Sequence, residues 1–272
     1  MSMKLLHVVA CATALLCAIP ALATKPEPAV SDPVSVQGGE YRLSGRAFVG
    51  DKVGKHPVLL VVIHGDAPHN KPDYHYAFAS KVVAGRDVVA VGLLRPGYVD
   101  PQGGASEGER GEAVGDSYNA RNTDSVAAAI GELKRRYRSR KVVVAAHSGG
   151  AAIAANVLAR HRRLIDAALL VSCPCDVGAW RKSMFALTQE PAFEGEVESL
   201  SPIDQVGKLS SRVRVTLVVG KQDPVAPPTL SERYQAAAMR EGKHVTLVEL
   251  DGQEHEIFLL PQVRELLGPM LK

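Results

Sequence analysis

Cysteine is scarce in this sequence. The chain has four in 272 residues, and two of them, Cys11 and Cys17, sit in an apolar N-terminal run that leaves only Cys173 and Cys175 beyond it. So low a count excludes a disulfide framework, and a chain of this length needs none to hold a core. Long blocks of like charge are missing too: 32 basic against 29 acidic side chains give a formal net charge of +3. A nearly balanced surface lacks the electrostatic footprint of nucleic-acid binding, so no nucleic acid is expected as a partner. No P-loop, no G-x-G-x-x-G turn and no internal repeat occurs, which leaves no sequence signal for a nucleotide site or a solenoid.

The apolar run is also too short for a stop-transfer helix. Lys4 precedes it, Leu5 to Ile19 form it, and Pro20-Ala21-Leu22-Ala23 closes it with a small-x-small pattern. These are the parts of a secretory signal peptide cut after Ala23, and they predict a secreted or periplasmic protein with no stable membrane span after cleavage. Cleavage removes Lys4 and no acid, so the net charge falls by one, to +2. Residues 24–33 are proline-rich and polar and read as a flexible leader. Residues 34–272 are then expected to form one domain, and a 46% hydrophobic composition supplies one sizeable core.

Strand and helix patterns alternate through that domain. Val34–Val36 and Tyr41–Val49, separated by Gly38-Gly39, suggest an antiparallel edge pair. Val58–Ile63 and Val88–Leu93 are continuous apolar runs of strand length, as strands buried on both faces require. Between them Tyr74, Phe78 and Val82 share one helical face, closed by Gly85. Residues 99–122 form a long, glycine-rich, acidic loop holding Asp100, Glu107, Glu109, Glu112 and Asp116. Such a loop is usually functional or mobile, and its acids read mainly as solvated. Val126, Ile130, Leu133 and Tyr137 then mark a helix whose Lys134, Arg135, Arg136 and Arg138 read as a solvated face. Ala167–Val171, Val213–Gly220 and Val245–Leu250 give later strands. Thr229-Leu230-Ser231-Glu232 reads as a capping box, and Pro261 suits the start of a closing helix through Leu267. Residues 173–212 read as irregular, and their Trp180, Met184, Phe185 and Phe193 suggest a small lid. The alternation predicts an α/β fold, a doubly wound and mostly parallel sheet with helices on both faces.

The chemistry centres on Val142-Val143-Val144-Ala145-Ala146-His147-Ser148-Gly149-Gly150. A β-branched run stops at a serine among small residues, and an alanine-rich helix pattern starts at once. In such a turn Ser148 is held in a strained backbone with its hydroxyl clear of the fold. A serine hydroxyl needs a base to take its proton and a third group to orient the base. Val218–Val225 places Asp223 on the loop leaving one strand, and Leu250–His255 places His255 on the loop leaving the next. Asp176 and Asp251 are the competing acids, although Asp251 lies close to His255 in sequence. The Gly149 N–H, at a helix start, is a free donor for a developing oxyanion.

This pattern resembles the α/β-hydrolase superfamily, in which a G-x-S-x-G elbow precedes an acid and then a histidine; Ala146 replaces the first glycine here. His64-Gly65-Asp66 resembles the HG turn of that family. The resemblance implies a second oxyanion donor, the backbone N–H of Asp66 or of its neighbour Ala67, with His64 bracing the turn. Arg95-Pro96-Gly97-Tyr98 resembles a segment common to α/β-hydrolases and the catalytic domains of prolyl-oligopeptidase-like peptidases, and it implies a pocket wall. His64, Asp66, His69, Asp73 and His75 are ligand types, but their spacing matches no H-E-x-x-H or similar site. No metal and no cofactor is expected. A bridge across the single residue between Cys173 and Cys175 would be strained, so free thiols or a labile bridge are expected.

The expected function is hydrolysis of a carboxylic ester through an acyl-enzyme, with a small-molecule ester or short peptide as substrate. A serine peptidase or aminoacyl amidase of the same fold is the alternative, and a non-catalytic binding protein on that fold is a third reading. Oligomeric state is not legible.

Overall fold

The structure, a computed structural model, describes residues 31–272. The expected signal peptide, residues 1–23, lies outside them, as does most of the leader. In chain order the elements are β1 (Ser31–Gly38), β2 (Tyr41–Val49), β3 (Val58–Ile63), α1 (Tyr74–Val83), β4 (Val88–Leu93), α2 (Ala120–Arg136), β5 (Lys141–His147), α3 (Gly149–Arg160), β6 (Ala167–Val171), α4 (Val177–Thr188), β7 (Arg214–Gly220), α5 (Pro228–Arg240), β8 (Val245–Leu250) and α6 (Pro261–Glu265). They build an eight-stranded sheet ordered β1-β2-β4-β3-β5-β6-β7-β8. β2 runs antiparallel to both β1 and β4, and every other pairing is parallel. This is the mostly parallel, doubly wound sheet that the alternation predicts.

The central strands are apolar throughout because each faces two cores. In β3, Leu59, Val61 and Ile63 join the core under α2, α3 and α5, while Val58, Leu60 and Val62 join the core under α1 and the C-terminal segment. Helices α2 and α3 carry small or apolar residues toward the sheet, and all of Gly149–Ala159 in α3 is buried. Among the described residues no helix is long and apolar enough to cross a membrane.

Several local expectations need correction. Ser31–Pro33 belong to β1, paired with Arg46–Phe48, and so are not leader. Helix α5 starts at Pro228 with Pro227 as its N-cap and no side-chain cap, so Thr229 opens no capping box; proline at the first helical position does that work. The stretch 173–212 is not irregular: it contains α4, capped by the Asp176 carboxylate on the Ala179 N–H, and a 3-10 segment at Pro202–Lys208. α6 ends at Glu265, short of Leu267. Cys173 and Cys175 are joined by a disulfide and both are buried, so of the two expected states, free thiols or a bridge, the bridge is the one present. The 99–122 loop is pinned from within rather than simply solvated. Buried Asp100 accepts from the Gln102 and Gly104 amides and from the Tyr76 hydroxyl, and Asp116 accepts from the Glu112 and Ala113 amides.

Two glycines give opposite expectations. A Cβ on Gly150 would lie 2.2 Å from the His64 carbonyl oxygen, a backbone atom that cannot step aside. Gly131, inside α2, has nothing nearer than 3.7 Å to such a Cβ. Gly131→Ala is expected to stabilise by about 0.5–1 kcal/mol through helix propensity, and Gly150→Ala to destabilise by about 1–3 kcal/mol through overpacking. Thermal unfolding of the two variants checks this, and a Gly150→Ala protein as stable as the parent would contradict the close packing of elbow and turn.

Candidate active site

Strand β5 delivers the candidate nucleophile. Its parallel partners β3 and β6 end at the same sheet edge, so the turns after these strands converge there. Ser148 has φ 51° and ψ −125°, a backbone conformation that L-residues avoid and that costs about 1–3 kcal/mol unless the surroundings enforce it. The neighbours enforce it by having no side chain. A Cβ on Gly65 would come within 2.9 Å of the Ser148 Cβ, and one on Gly149 within 2.5 Å of the Tyr118 hydroxyl. Ala146, where the elbow pattern has glycine, fits because its methyl group is buried in the helix-side core.

The loops after β7 and β8 bring the other two candidates to that serine. His255 Nε2 lies 3.1 Å from Ser148 Oγ, and His255 Nδ1 lies 2.9 and 3.0 Å from the two Asp223 oxygens. Carboxylate oxygens only accept, so Nδ1 carries the proton and Nε2 is bare toward the hydroxyl. Asp223 also accepts from the Val225 and Ala226 amides at 2.9 and 2.8 Å, so its position is fixed by the turn it opens. The carboxylate is fully buried while the His255 side chain keeps 12% exposure, as a base that must meet substrate requires. The competing acids are elsewhere: Asp176 caps α4 and pairs with Arg233 at 2.8 Å, and Asp251 is exposed and pairs with Lys221.

The turn after β3 holds the candidate oxyanion donors. Gly149 is the first residue of α3, so its N–H has no partner within the helix. The Gly65 carbonyl accepts from His64 Nδ1 at 2.7 Å, while His64 Nε2 accepts the Arg95 N–H at 3.1 Å. With a trans peptide, the Asp66 N–H points the opposite way from that held carbonyl. His64 is buried, and burial, aided by the nearby His75 and Arg95, drives its pKa well below the usual histidine value, so it braces the turn as a neutral ring.

The side chain of Asp66 was not part of the sequence expectation. Its carboxylate oxygens would stand 2.6 and 2.7 Å from a Cβ on Gly149, directly over the helix start. It is tied to buried Arg95 at 2.7 Å, to Tyr98 and to Tyr118. Arg95 also reaches Ser117, so the pocket wall expected of Arg95–Tyr98 is a charge-neutral cluster joining the turn after β3 to the 99–122 loop. Tyr74, His147 and Ser172 also lie at the site. Nothing in the sequence flagged them except the position of His147 beside Ser148.

The lid-like segment closes over the acid's loop. Trp180 donates to the Val225 carbonyl at 2.8 Å and packs edge-on against Phe193. A cavity of about 20 Å³, room for about one water, lies between Asp66, Pro68, Tyr98 and residues 110–114. A groove of about 700 Å³ is far larger but lies at the amino ends of β7 and β8, with none of these residues in it, so it is not the site of this chemistry. Among the described residues no cluster of three or more metal-ligand side chains occurs.

Residues 59–199, just over half of the chain, match the model of the serine aminopeptidase S33 family. The chain belongs to that family. As an S33 family member it shares its fold with several solved structures. A puromycin-hydrolyzing peptidase of Mycobacterium tuberculosis superposes with a TM-score of 0.70 at 17% identity, over 92% of this chain and 40% of the peptidase. The Pyrococcus furiosus esterase Pf2001 gives 0.66 at 16% identity, over 93% and 95% of the two chains. Est1E of Butyrivibrio proteoclasticus gives 0.61 at 17%, over 86% and 97%. The S33 chain therefore spans about 40% of the length of the peptidase it matches. No curated protein matches it in sequence.

The alternative acids separate cleanly by mutation. Asp223→Asn should lower kcat by about 10⁴-fold, because an amide in that position no longer fixes the His255 tautomer. Asp176→Asn, which keeps a helix-capping oxygen, should leave kcat within about twofold of the parent. Steady-state kinetics decide the point, and the reverse pattern would move the acid to Asp176.

Proposed function

We propose that this protein is a serine hydrolase that cleaves small carboxylic esters. The observation that carries the reading is the unbroken Asp223–His255–Ser148 hydrogen-bond path, ending on a serine held in a strained elbow at a helix start. In this mechanism Ser148 Oγ attacks the ester carbonyl while His255 Nε2 takes its proton. Asp223 stabilises the imidazolium, and the Gly149 and Asp66 amides bind the oxyanion. The alkoxide leaves with the proton from His255, and water, deprotonated by the same nitrogen, releases the acid from the acyl-enzyme.

One observation favours an ester over a peptide with a free amino terminus. The carboxylate standing over the elbow, Asp66, is already neutralised by Arg95 and bonded by two phenols, so it is not set up to hold a substrate ammonium. The peptidase reading keeps support from the family match and from the shared fold of the puromycin-hydrolyzing peptidase. We also propose that residues 1–23 are a secretory signal, making the protein secreted or periplasmic; a Cys173–Cys175 disulfide fits an oxidising compartment.

A panel of p-nitrophenyl esters and aminoacyl p-nitroanilides tests the reading. The esters should be cleaved with a higher kcat/KM than the anilides, and Ser148→Ala should abolish turnover. Faster cleavage of the anilides than of the esters would establish the peptidase instead.

A further inference from the structure

A chain of hydrogen bonds runs behind the reacting groups, from the turn after β3 to the loop after β8. The Gly65 N–H lies 2.6 Å from the Tyr74 hydroxyl oxygen, Tyr74 Oη lies 2.9 Å from His147 Nδ1, and His147 Nε2 lies 3.3 Å from the His255 carbonyl oxygen. Both ends are backbone groups with fixed roles. An amide N–H only donates and a carbonyl only accepts, so the direction of the whole chain is determined. Gly65 donates to Tyr74, the Tyr74 hydroxyl donates to a bare His147 Nδ1, and His147 Nε2–H donates to the His255 carbonyl. That order requires a neutral His147. Burial, followed by the nearby His255, depresses its pKa to about 3.

The pair has little freedom to do anything else. Tyr74 is the first residue of α1 and His147 the last of β5. Phe258 stacks on the His147 ring at 5.3 Å and on Phe78 at 4.3 Å, and Tyr74 meets His147 edge-on at 5.6 Å. The Ser172 hydroxyl donates to the same His255 carbonyl at 3.0 Å. At the other end, Tyr74 holds the peptide entering Gly65 while His64 holds the one leaving it, so both peptide planes of the turn are fixed.

We propose that Tyr74 and His147 are positioning residues that set the oxyanion turn and the loop of the base as one unit. This rests on the serine-hydrolase reading. Neither side chain is bonded to the Ser148 hydroxyl or to the His255 ring nitrogens; they act through Gly65 and through the His255 backbone. A misplacement of about 1 Å in such groups is enough to cost about 100-fold in rate, so a link of this kind has kinetic consequences without any contact to substrate.

The test uses the whole chain with Tyr74→Phe, His147→Leu and His147→Gln, the last keeping one acceptor and one donor on its amide. With p-nitrophenyl acetate, Tyr74→Phe and His147→Leu should each lower kcat by about 10- to 100-fold with KM within about twofold, because the lost interaction acts on the transition state. The Ki of phenylboronic acid, whose tetrahedral adduct places an oxygen in the oxyanion hole, should rise in proportion. The double variant should be no worse than either single one, as expected for members of one chain, and His147→Gln should recover most of the loss. Amide hydrogen exchange supplies a readout independent of turnover: in Tyr74→Phe, protection should fall at both 64–66 and 255–257. Parental kcat and Ki in Tyr74→Phe, additive losses, or exchange that rises at only one segment would each overturn the proposal. A parent that hydrolyses no ester yet shows the two-segment exchange effect would overturn the ester reading and leave the mechanical link standing.

Discussion

The backbone of Ser148 is the constraint on which the site depends. A serine at φ 51° between a strand and a helix is unfavourable by itself, and it persists because the chain around it leaves no room for an alternative. Gly65 and Gly150 let the turn after β3 press against the elbow, with the His64 carbonyl 2.2 Å from where a Cβ on Gly150 would be. The same closeness sets the turn that carries Asp66 against the start of α3 at Gly149. Strain, packing and the placing of the candidate oxyanion donors are therefore one arrangement, and none can be altered without the others.

Charge is handled with equal economy. Three histidines lie buried near the site, and for each burial is the main cause of a depressed pKa: His75 and His147 fall to about 3, and His64 well below its usual value. His64 and His147 act as neutral hydrogen-bonding rings, whereas neither ring nitrogen of His75 has a hydrogen-bond partner among the described residues; of the four, His255 reaches both a carboxylate and the serine. The Asp66 carboxylate, which unpaired would oppose an oxyanion forming beside it, is offset by Arg95 within hydrogen-bond distance.

Much of this was legible in the sequence, for identifiable reasons. Continuous apolar runs such as Val58–Ile63 read as strands buried on both faces, and Ser148 and Asp223 follow largely apolar strands while His255 follows the half-exposed β8; the parallel alternation places all three at one sheet edge. What was hidden depended on side chains meeting across loops. Tyr74 reads as one more apolar position on α1, and only in three dimensions does its hydroxyl reach Gly65 and His147. Asp66 reads as an amide donor, and its carboxylate cluster needs Arg95, Tyr98 and Tyr118 from separate segments. Helix α4 has a local cap in Asp176, but what holds it in place is tertiary: Ser201 bonds the Val177 amide and buried Trp180 anchors its first turn on Val225.

The central claim is that Ser148 is a nucleophile activated by His255. Peptide mapping by mass spectrometry after a timed reaction with a fluorophosphonate tests it most directly, because the probe reports nucleophilicity without assuming a substrate. The account predicts a single adduct on Ser148, formed far more slowly in His255→Ala; an adduct on a different residue, or equal rates in the two proteins, would contradict it.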